Sequence, residues 1–247
     1  MGCLKPIYFL AFLISTPFFL TAQPAVSSAE SRMESFEQRQ NLSTNSIFKG
    51  VAFENIGPTV MSGRVSDIDV NPSDPSDFFV AYASGGIFRT QNNGTTFTPL
   101  FDNQIVITIG DIAVDWDSGT IYAGTGEVNS SRSSYAGMGI YKSTDWGQSW
   151  SASGLEESHH IGRILINPND PNQITVAVLG HLYSPNQERG IYHSSDGGQT
   201  WSQALYVNED AGGIDLIEDP TDPMVLYAST WERARRAWNF VESGQGS

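Results

Sequence analysis

Short apolar runs separated by turn residues fill the chain from residue 48 onward. The first run of each unit lies at residues 65–70, 112–116, 161–166 and 213–217. After a turn rich in Asn, Asp, Pro and Gly, a second run follows at residues 78–83, 120–123, 174–179 and 225–229. A third run, opened by Gly, lies at residues 86–89, 139–142 and 190–193. Such runs, bounded by turn formers, predict short β-strands joined by tight turns.

A short motif recurs after the third run. It reads TQNNGTTF at residues 90–97, STDWGQSW at residues 143–150 and SSDGGQTW at residues 194–201. The copies lie roughly 50 residues apart, a period that indicates a propeller or a solenoid. A fourth short strand is expected after each motif, and four short strands per unit describe a propeller blade.

The repeat therefore predicts an all-β fold, a β-propeller with four-stranded blades. The blades are expected at residues 62–101, 107–155, 159–207 and 212–247. The last unit ends before its motif, so we expect an incomplete arc of about three and a half blades and a longer parent chain.

Each motif has the composition of a tight turn. Its Asp or Asn can accept hydrogen bonds from N–H groups of the same turn, and Gly tolerates positive φ. The aromatic residue that ends the motif can fill the wedge between neighbouring sheets. The predicted structural residues are Asn92, Gly94, Phe97, Asp145, Gly147, Trp150, Asp196, Gly198 and Trp201.

The N-terminus has the pattern of an export signal. Residues 1–23 carry Lys5, then an apolar stretch, then small residues near a plausible cleavage point. The apolar stretch is short for a membrane span, and an uncleaved anchor is the less favoured alternative. Residues 24–47 are polar and are predicted to be a linker or disordered, or a frayed helix. The only cysteine, Cys3, lies within the signal, so the mature chain is expected to lack disulfides.

Charge excludes one class of partner. The formal net charge is −14, which argues against general binding to nucleic acid. No phosphate-binding loop or metal-protease motif is present, so no cofactor and no metal site are predicted.

The motif S-x-D-x-G-x-x-W resembles the Asp-box, or BNR repeat, of sialidases, xyloglucanase-type glycoside hydrolases and sortilin-type receptors. The longer patterns YAGTGE at residues 122–127, HIGR at 160–163 and LGHL at 179–182 extend the likeness. Over residues 48–247 the chain resembles secreted bacterial BNR-repeat glycosyl hydrolases and sortilin N-terminal-like proteins. The resemblance implies a β-propeller in a bacterial protein, in the periplasm or outside the cell.

In a propeller, the links from strand two to strand three and from blade to blade share one face, which we call the loop-rich face. Long loops on a rigid scaffold commonly carry function. Aromatic side chains suit sugar rings and Arg suits carboxylates. The predicted ligand-binding residues on this face are Arg64, Arg132, Tyr135, His159, His160, Arg163, His181, Tyr183, Arg189, Trp231 and Arg233.

Two functions remain open at this point. The first is binding of a glycan, with hydrolysis if two carboxylates flank the bond that is cut. The candidates are Glu127, Glu188, Asp215 and Glu232, and their spacing selects no pair. If the protein is an enzyme, we expect a glycoside hydrolase. The alternative is a sortilin-like propeller that binds a peptide or protein without catalysis, or a purely structural module.

Overall fold

A computed structural model describes residues 26–51, 63–129, 134–236 and 238–247. The sheets stand side by side as blades of an incomplete propeller, which confirms the predicted all-β fold. Each of the first three sheets has four antiparallel strands in chain order. The predicted signal segment, residues 1–23, and residue Arg132 lie outside the described residues.

The strands of the three complete blades follow the repeat. The first blade consists of β1 (Val65–Val70), β2 (Phe78–Tyr82), β3 (Gly86–Thr90) and β4 (Thr98–Pro99). The second consists of β5 (Ile109–Asp115), β6 (Thr120–Thr125), β7 (Ile140–Ser143) and β8 (Ser151–Ala152). The third consists of β9 (Ile161–Ile166), β10 (Ile174–Val178), β11 (Gly190–Ser194) and β12 (Ser202–Leu205).

The fourth blade is built differently. Strands β13 (Ala211–Asp219) and β14 (Asp222–Glu232) form one long antiparallel hairpin. A second, smaller hairpin of β15 (Ala234–Arg236) and β16 (Asn239–Val241) follows it. The inner strands of the four blades are therefore β1, β5, β9 and β13, and each begins at the loop-rich face.

A helix lies in the segment for which a linker, disorder or a frayed helix was expected. Helix α1 spans Ala29–Thr44 and begins at the N-cap Ser28, whose hydroxyl accepts a hydrogen bond from the Ser31 amide. Its first turn is held against the link between the second and third blades, because the Ala29 amide donates to Glu157 Oε1 at 2.6 Å. Among the described residues, no helix is long and apolar enough to cross a membrane.

The core lies between neighbouring blades. Between the first and second blades, the buried side chains include Phe79, Ile87, Phe101 and Ile121. Between the second and third blades, Tyr122, Ile140, Ile161, Ile174 and Val176 form a second cluster. Because each sheet buries one face against the next, the blades hold each other by apolar contact.

The turn motifs lie on the opposite face, at the connection between strands three and four. In the second blade, Asp145 Oδ1 accepts from the Ser149 amide at 2.9 Å, and Gly147 adopts a φ of 85°. The Trp150 indole donates to the Leu100 carbonyl of the first blade at 2.8 Å. The Trp201 indole likewise donates to Ser153 O at 2.7 Å. In the first blade, Phe97 instead packs edge-on against Phe78 of its own sheet.

Inner strands approach each other closely through a bulge near their start. The register of each of β1, β5 and β13 shifts just before Asp67, Asp111 and Asp215 respectively. The bulge residue of β5 is Gly110, where an added Cβ would lie 1.9 Å from the carbonyl oxygen of Ile161. Only glycine allows this approach between the second and third blades.

Candidate functional site

Four charged residues occupy equivalent positions on the inner strands, directly after the bulge or its counterpart in β9. They are Asp67, Asp111, Arg163 and Asp215. Arg163 lies among the three carboxylates: its Nε is 2.9 Å from Asp215 Oδ1, and one terminal nitrogen is 3.1 Å from Asp111 Oδ1. The same nitrogen is 3.8 Å from Asp67 Oδ1. We call these four residues the inner-strand charge cluster.

The members of the cluster differ in access to solvent. Asp111 is buried, and its Oδ2 accepts from the Ile164 amide at 2.7 Å, so both of its oxygens are engaged. Burial raises the pKa of Asp111 well above its ordinary value, and the nearby Asp67 carboxylate raises it further. The Asp215 side chain is 59% exposed and that of Arg163 is 37% exposed. Asp215 and Arg163 are therefore the most exposed members of the cluster, since the Asp67 side chain is 19% exposed.

A cleft of about 300 Å³ opens on the loop-rich face above this cluster, and we call it the mouth cleft. Trp231 of β14 and Asn129 of the link between β6 and β7 line it together with Arg163 and Asp215. The remaining lining residues are Ser66, Gly110, Asp111, Val128, Gly162 and Ile214. A larger cavity of about 510 Å³ runs further along the inner strands and shares Arg163 and Asp215 with it. The mouth cleft thus combines an aromatic ring with charged donors and acceptors, as ligand sites do.

The four candidate catalytic carboxylates contact different groups. Glu127 is buried and bonded to Arg64, and Glu188 lines a separate small cavity with Glu156 and Tyr192. Glu232 accepts a hydrogen bond from the Gly246 amide at 3.2 Å. Of the four, Asp215 is the one that lines the mouth cleft.

The histidines form a second group, in which His159 and His160 of the link between the second and third blades meet His181 of the link between β10 and β11. His159 and His181 stack with ring centroids 3.8 Å apart, and His181 Nε2 lies 2.7 Å from the Glu157 carbonyl oxygen. Burial, followed by the neighbouring His181 and Arg32, lowers the pKa of His159 to about 3. His160 is buried, and burial lowers its pKa as well.

Within the described part of the chain, Glu157, His159 and His181 offer ligand atoms within 4.8 Å of one another and could hold a metal ion. The two imidazole rings are nearly parallel, so their nitrogen lone pairs lie in separate planes and do not converge well on one point. The Glu157 carboxylate also already binds the first turn of α1, through the Ala29 amide and through Arg32 at 3.5 Å. This arrangement favours a docking point for the helix over a metal site.

Two predicted ligand residues are buried beneath the loops of the third and fourth blades. Arg189 donates to the carbonyl oxygens of His181 at 2.6 Å and Arg233 at 2.9 Å. The guanidinium of Arg233 stacks on the Trp231 ring, 4.5 Å from its centroid. Tyr135 and Tyr183, which were predicted to bind ligand, are exposed on the same face.

Sequence reasoning singled out Arg163 and Asp215 but missed Asp67 and Asp111. The available signal was the last position of a repeated tripeptide that spans each bulge, VSD at residues 65–67, IGD at 109–111 and GID at 213–215. The third blade has IGR at residues 161–163 instead. A charge of either sign at one fixed position of a repeat indicates that the side chains meet around the propeller axis.

The chain is similar in fold to solved GH74 enzymes. An ancestral GH74 enzyme matches with a TM-score of 0.52 and 19% identity, over 72% of this chain and 25% of that enzyme. The GH74 enzyme of Niastella koreensis also matches with a TM-score of 0.52 and 19% identity, over 68% of this chain and 26% of that enzyme. The chain spans about a quarter of the length of these enzymes. No protein-family model and no curated protein matches the sequence significantly.

Proposed function

We propose that this protein is a secreted bacterial propeller that binds a glycan in the mouth cleft without hydrolysing it. The observation that carries the proposal is the placing of Trp231 in one cleft with the ion-paired Arg163 and Asp215. A sugar has an apolar ring face and a rim of hydroxyl groups. An indole ring suits the first, while a guanidinium and a carboxylate suit the second.

The charge pattern of the cleft favours a ligand that is rich in hydroxyl groups. Arg163 is already surrounded by three carboxylates, at 2.9, 3.1 and 3.8 Å. A peptide's C-terminal carboxylate entering here would meet their negative charge, which costs binding energy. Sugar hydroxyls can donate to Asp215 and accept from Arg163 without that cost. This comparison makes sortilin-like peptide capture the less favoured function.

Binding is favoured over hydrolysis by the state of the carboxylates. Glycoside hydrolysis generally needs an acid and a second carboxylate that face the same bond. Asp111 is near Asp215, but both Asp111 oxygens already accept hydrogen bonds from Arg163 and Ile164. Glu127 and Glu232 are engaged elsewhere, and Glu188 lines a different cavity. The likeness to GH74 enzymes is one of fold, so it assigns no catalytic residue to this chain.

A polysaccharide screen with the full chain, read for both binding and release of reducing sugar, tests the proposal. We expect at least one glycan to bind with no release of sugar. Replacing Trp231 with Ala should weaken binding by about tenfold or more, because the aromatic surface of the cleft is lost. Trp231→Phe should retain part of the affinity.

Trp238 supplies the matched control. It is exposed and does not line the mouth cleft, so Trp238→Ala should leave glycan affinity unchanged. Equal loss in both Trp variants would contradict the proposed location of the ligand. If the wild type releases reducing sugar and Asp215→Asn does not, the protein is a glycoside hydrolase and the proposal of binding without hydrolysis is wrong. A protein that binds peptides and no glycan would establish the sortilin-like alternative.

A further inference from the structure

Arg233 is a buried cation with unused hydrogen-bond donors. Its side chain is 1% exposed, and no partner within the described part of the chain accepts from its Nε or from either terminal nitrogen. Its backbone carbonyl is held by Arg189, so the residue is fixed in place. Burial lowers the pKa of Arg233, as expected for a charge withdrawn from water without full compensation.

An uncompensated buried guanidinium is costly, since each unmade hydrogen bond leaves a desolvation penalty. Buried charges with perturbed pKa values are enriched at sites that bind ligands. The Trp231 ring covers one face of the guanidinium, which leaves the in-plane N–H groups as the available donors. Trp231 also lines the mouth cleft, so Arg233 is separated from the proposed glycan site by the thickness of one aromatic ring.

The side chains around Arg233 indicate which anion fits. Glu242 Oε1 lies 3.8 Å from the nearest terminal nitrogen, an ion-pair contact that is too long for a hydrogen bond. The Glu242 side chain is 56% exposed, so a ligand can approach this ion pair from solvent. Arg235 and Tyr183 are the other titratable groups that act on Arg233. The group that already lies beside the Arg233 guanidinium is thus a carboxylate, and it lies too far away to accept a hydrogen bond.

We propose that Arg233 forms a subsite for the carboxylate of an acidic sugar, which displaces Glu242 and lies beside the sugar bound on Trp231. A planar guanidinium can donate two parallel hydrogen bonds to a carboxylate, which Glu242 does not receive. The acidic character of the chain, with a net charge of −14, favours a monoanion over a doubly charged phosphate. This subsite rests on the proposed glycan binding and specifies its ligand as a uronic-acid glycan.

The test compares each acidic polysaccharide with its own carboxyl-reduced form, which keeps the linkages and removes the charge. Polygalacturonate, alginate and hyaluronate serve as probes, with affinity measured by calorimetry on the full chain. We expect at least one acidic form to bind about tenfold more tightly than its reduced partner. Arg233→Gln should abolish this preference, so that the variant binds the acidic and the reduced form with equal affinity.

Glu242→Gln is the second variant, because it changes an exposed side chain and does not depend on a buried substitution being tolerated. Removing the competing carboxylate should tighten binding of the acidic form several-fold and leave the reduced form unaffected. Equal affinity for acidic and reduced forms in the wild type, or an unchanged affinity of Glu242→Gln for the acidic form, would overturn the subsite.

A separate measurement distinguishes failure of the subsite from failure of the glycan proposal. Sodium galacturonate should raise the thermal midpoint of the wild type above that in sodium chloride of equal ionic strength, and galactose should not. The rise should be larger in Glu242→Gln. If no polysaccharide binds but galacturonate still stabilises, the proposed function fails and the carboxylate subsite stands. If galacturonate has no effect, the subsite is wrong even where neutral glycans bind.

Discussion

The turn motifs show how single polar side chains hold a tight connection. Asp145 accepts from the Ser149 amide at 2.9 Å, from the Ser149 hydroxyl at 2.5 Å and from the Ser143 hydroxyl at 2.8 Å. The hydrogen bonds from the Ser149 hydroxyl and amide lower the pKa of Asp145 to about 2. The first blade uses Asn92 instead, whose Oδ1 accepts from the Thr96 amide at 2.9 Å. The acceptor is thus required for the turn, while the charge strengthens it.

Replacing Asp145 separates these two contributions. Asp145→Ala removes the acceptor and should lower the thermal midpoint by several degrees, whereas Asp145→Asn should keep most of the stability at pH 7. Because the folded pKa lies below the unfolded value of about 3.9, the ionised Asp stabilises the fold above that pH. The advantage of wild type over Asp145→Asn should therefore vanish as the pH falls from about 4 towards 2. An advantage that persists unchanged at low pH would contradict a role for the charge.

At the scale of the element, the apolar runs located the strands where the sequence signal was continuous. Strands β1 and β9 coincide with the runs at residues 65–70 and 161–166. Strand β5 begins at Ile109, three residues before its run, because Gly110 and Asp111 carry no hydrophobic signal. Contacts with the third blade hold those two residues in the strand. Gly110 allows the close approach of Ile161, and Asp111 accepts a hydrogen bond from the Ile164 amide.

Gly110 gives a direct test of this approach between blades. An alanine Cβ there would lie 1.9 Å from Ile161 O, 2.7 Å from Gly126 O and 3.1 Å from Ile161 C, all backbone atoms that cannot rotate away. Gly110→Ala should therefore cost about 1–3 kcal/mol or more in the free energy of unfolding, measured with urea. Gly50→Ala is the control, because no atom lies within 4 Å of its added Cβ. Equal stability of the two variants would show that the blades do not need this contact.

At the scale of the whole molecule, the repeat predicted which loops share a face, because strand direction alternates within each blade. It could not predict which side chains meet on that face. Glu127 is buried against Arg64, and Arg233 lies beneath the loops, because the conformations of the long links decide both positions. Local sequence does not encode those conformations, which depend on contacts between residues far apart in the chain. The fold class could therefore be predicted from the sequence, whereas the set of side chains that meet in the mouth cleft could not.

Helix α1 is the clearest long-range element of this kind. Arg32 donates to Gly137 O at 2.8 Å and to Glu156 O at 3.3 Å, and it lies 3.5 Å from Glu157. A single helix of this length is marginal in water, so contacts with the loop-rich face must maintain it. Arg32→Ala should raise amide exchange across α1 by about tenfold or more, because hydrogen bonds from a charged donor are lost. The blades should keep their exchange protection, since the inter-blade core is unchanged.

Arg39 on the same helix is the matched control for that measurement. Its guanidinium contacts the ring of Phe36 within α1, 4.9 Å from the centroid. The described hydrogen bonds from α1 to the blades come from Ala29 and Arg32. Arg39→Ala should therefore leave the exchange of α1 close to that of wild type. If both variants raise exchange equally, helix propensity rather than docking maintains α1. If Arg32→Ala also exposes β5 and β9, the helix is part of the cooperative unit of the propeller, and its docking stabilises the inner strands that carry the charge cluster.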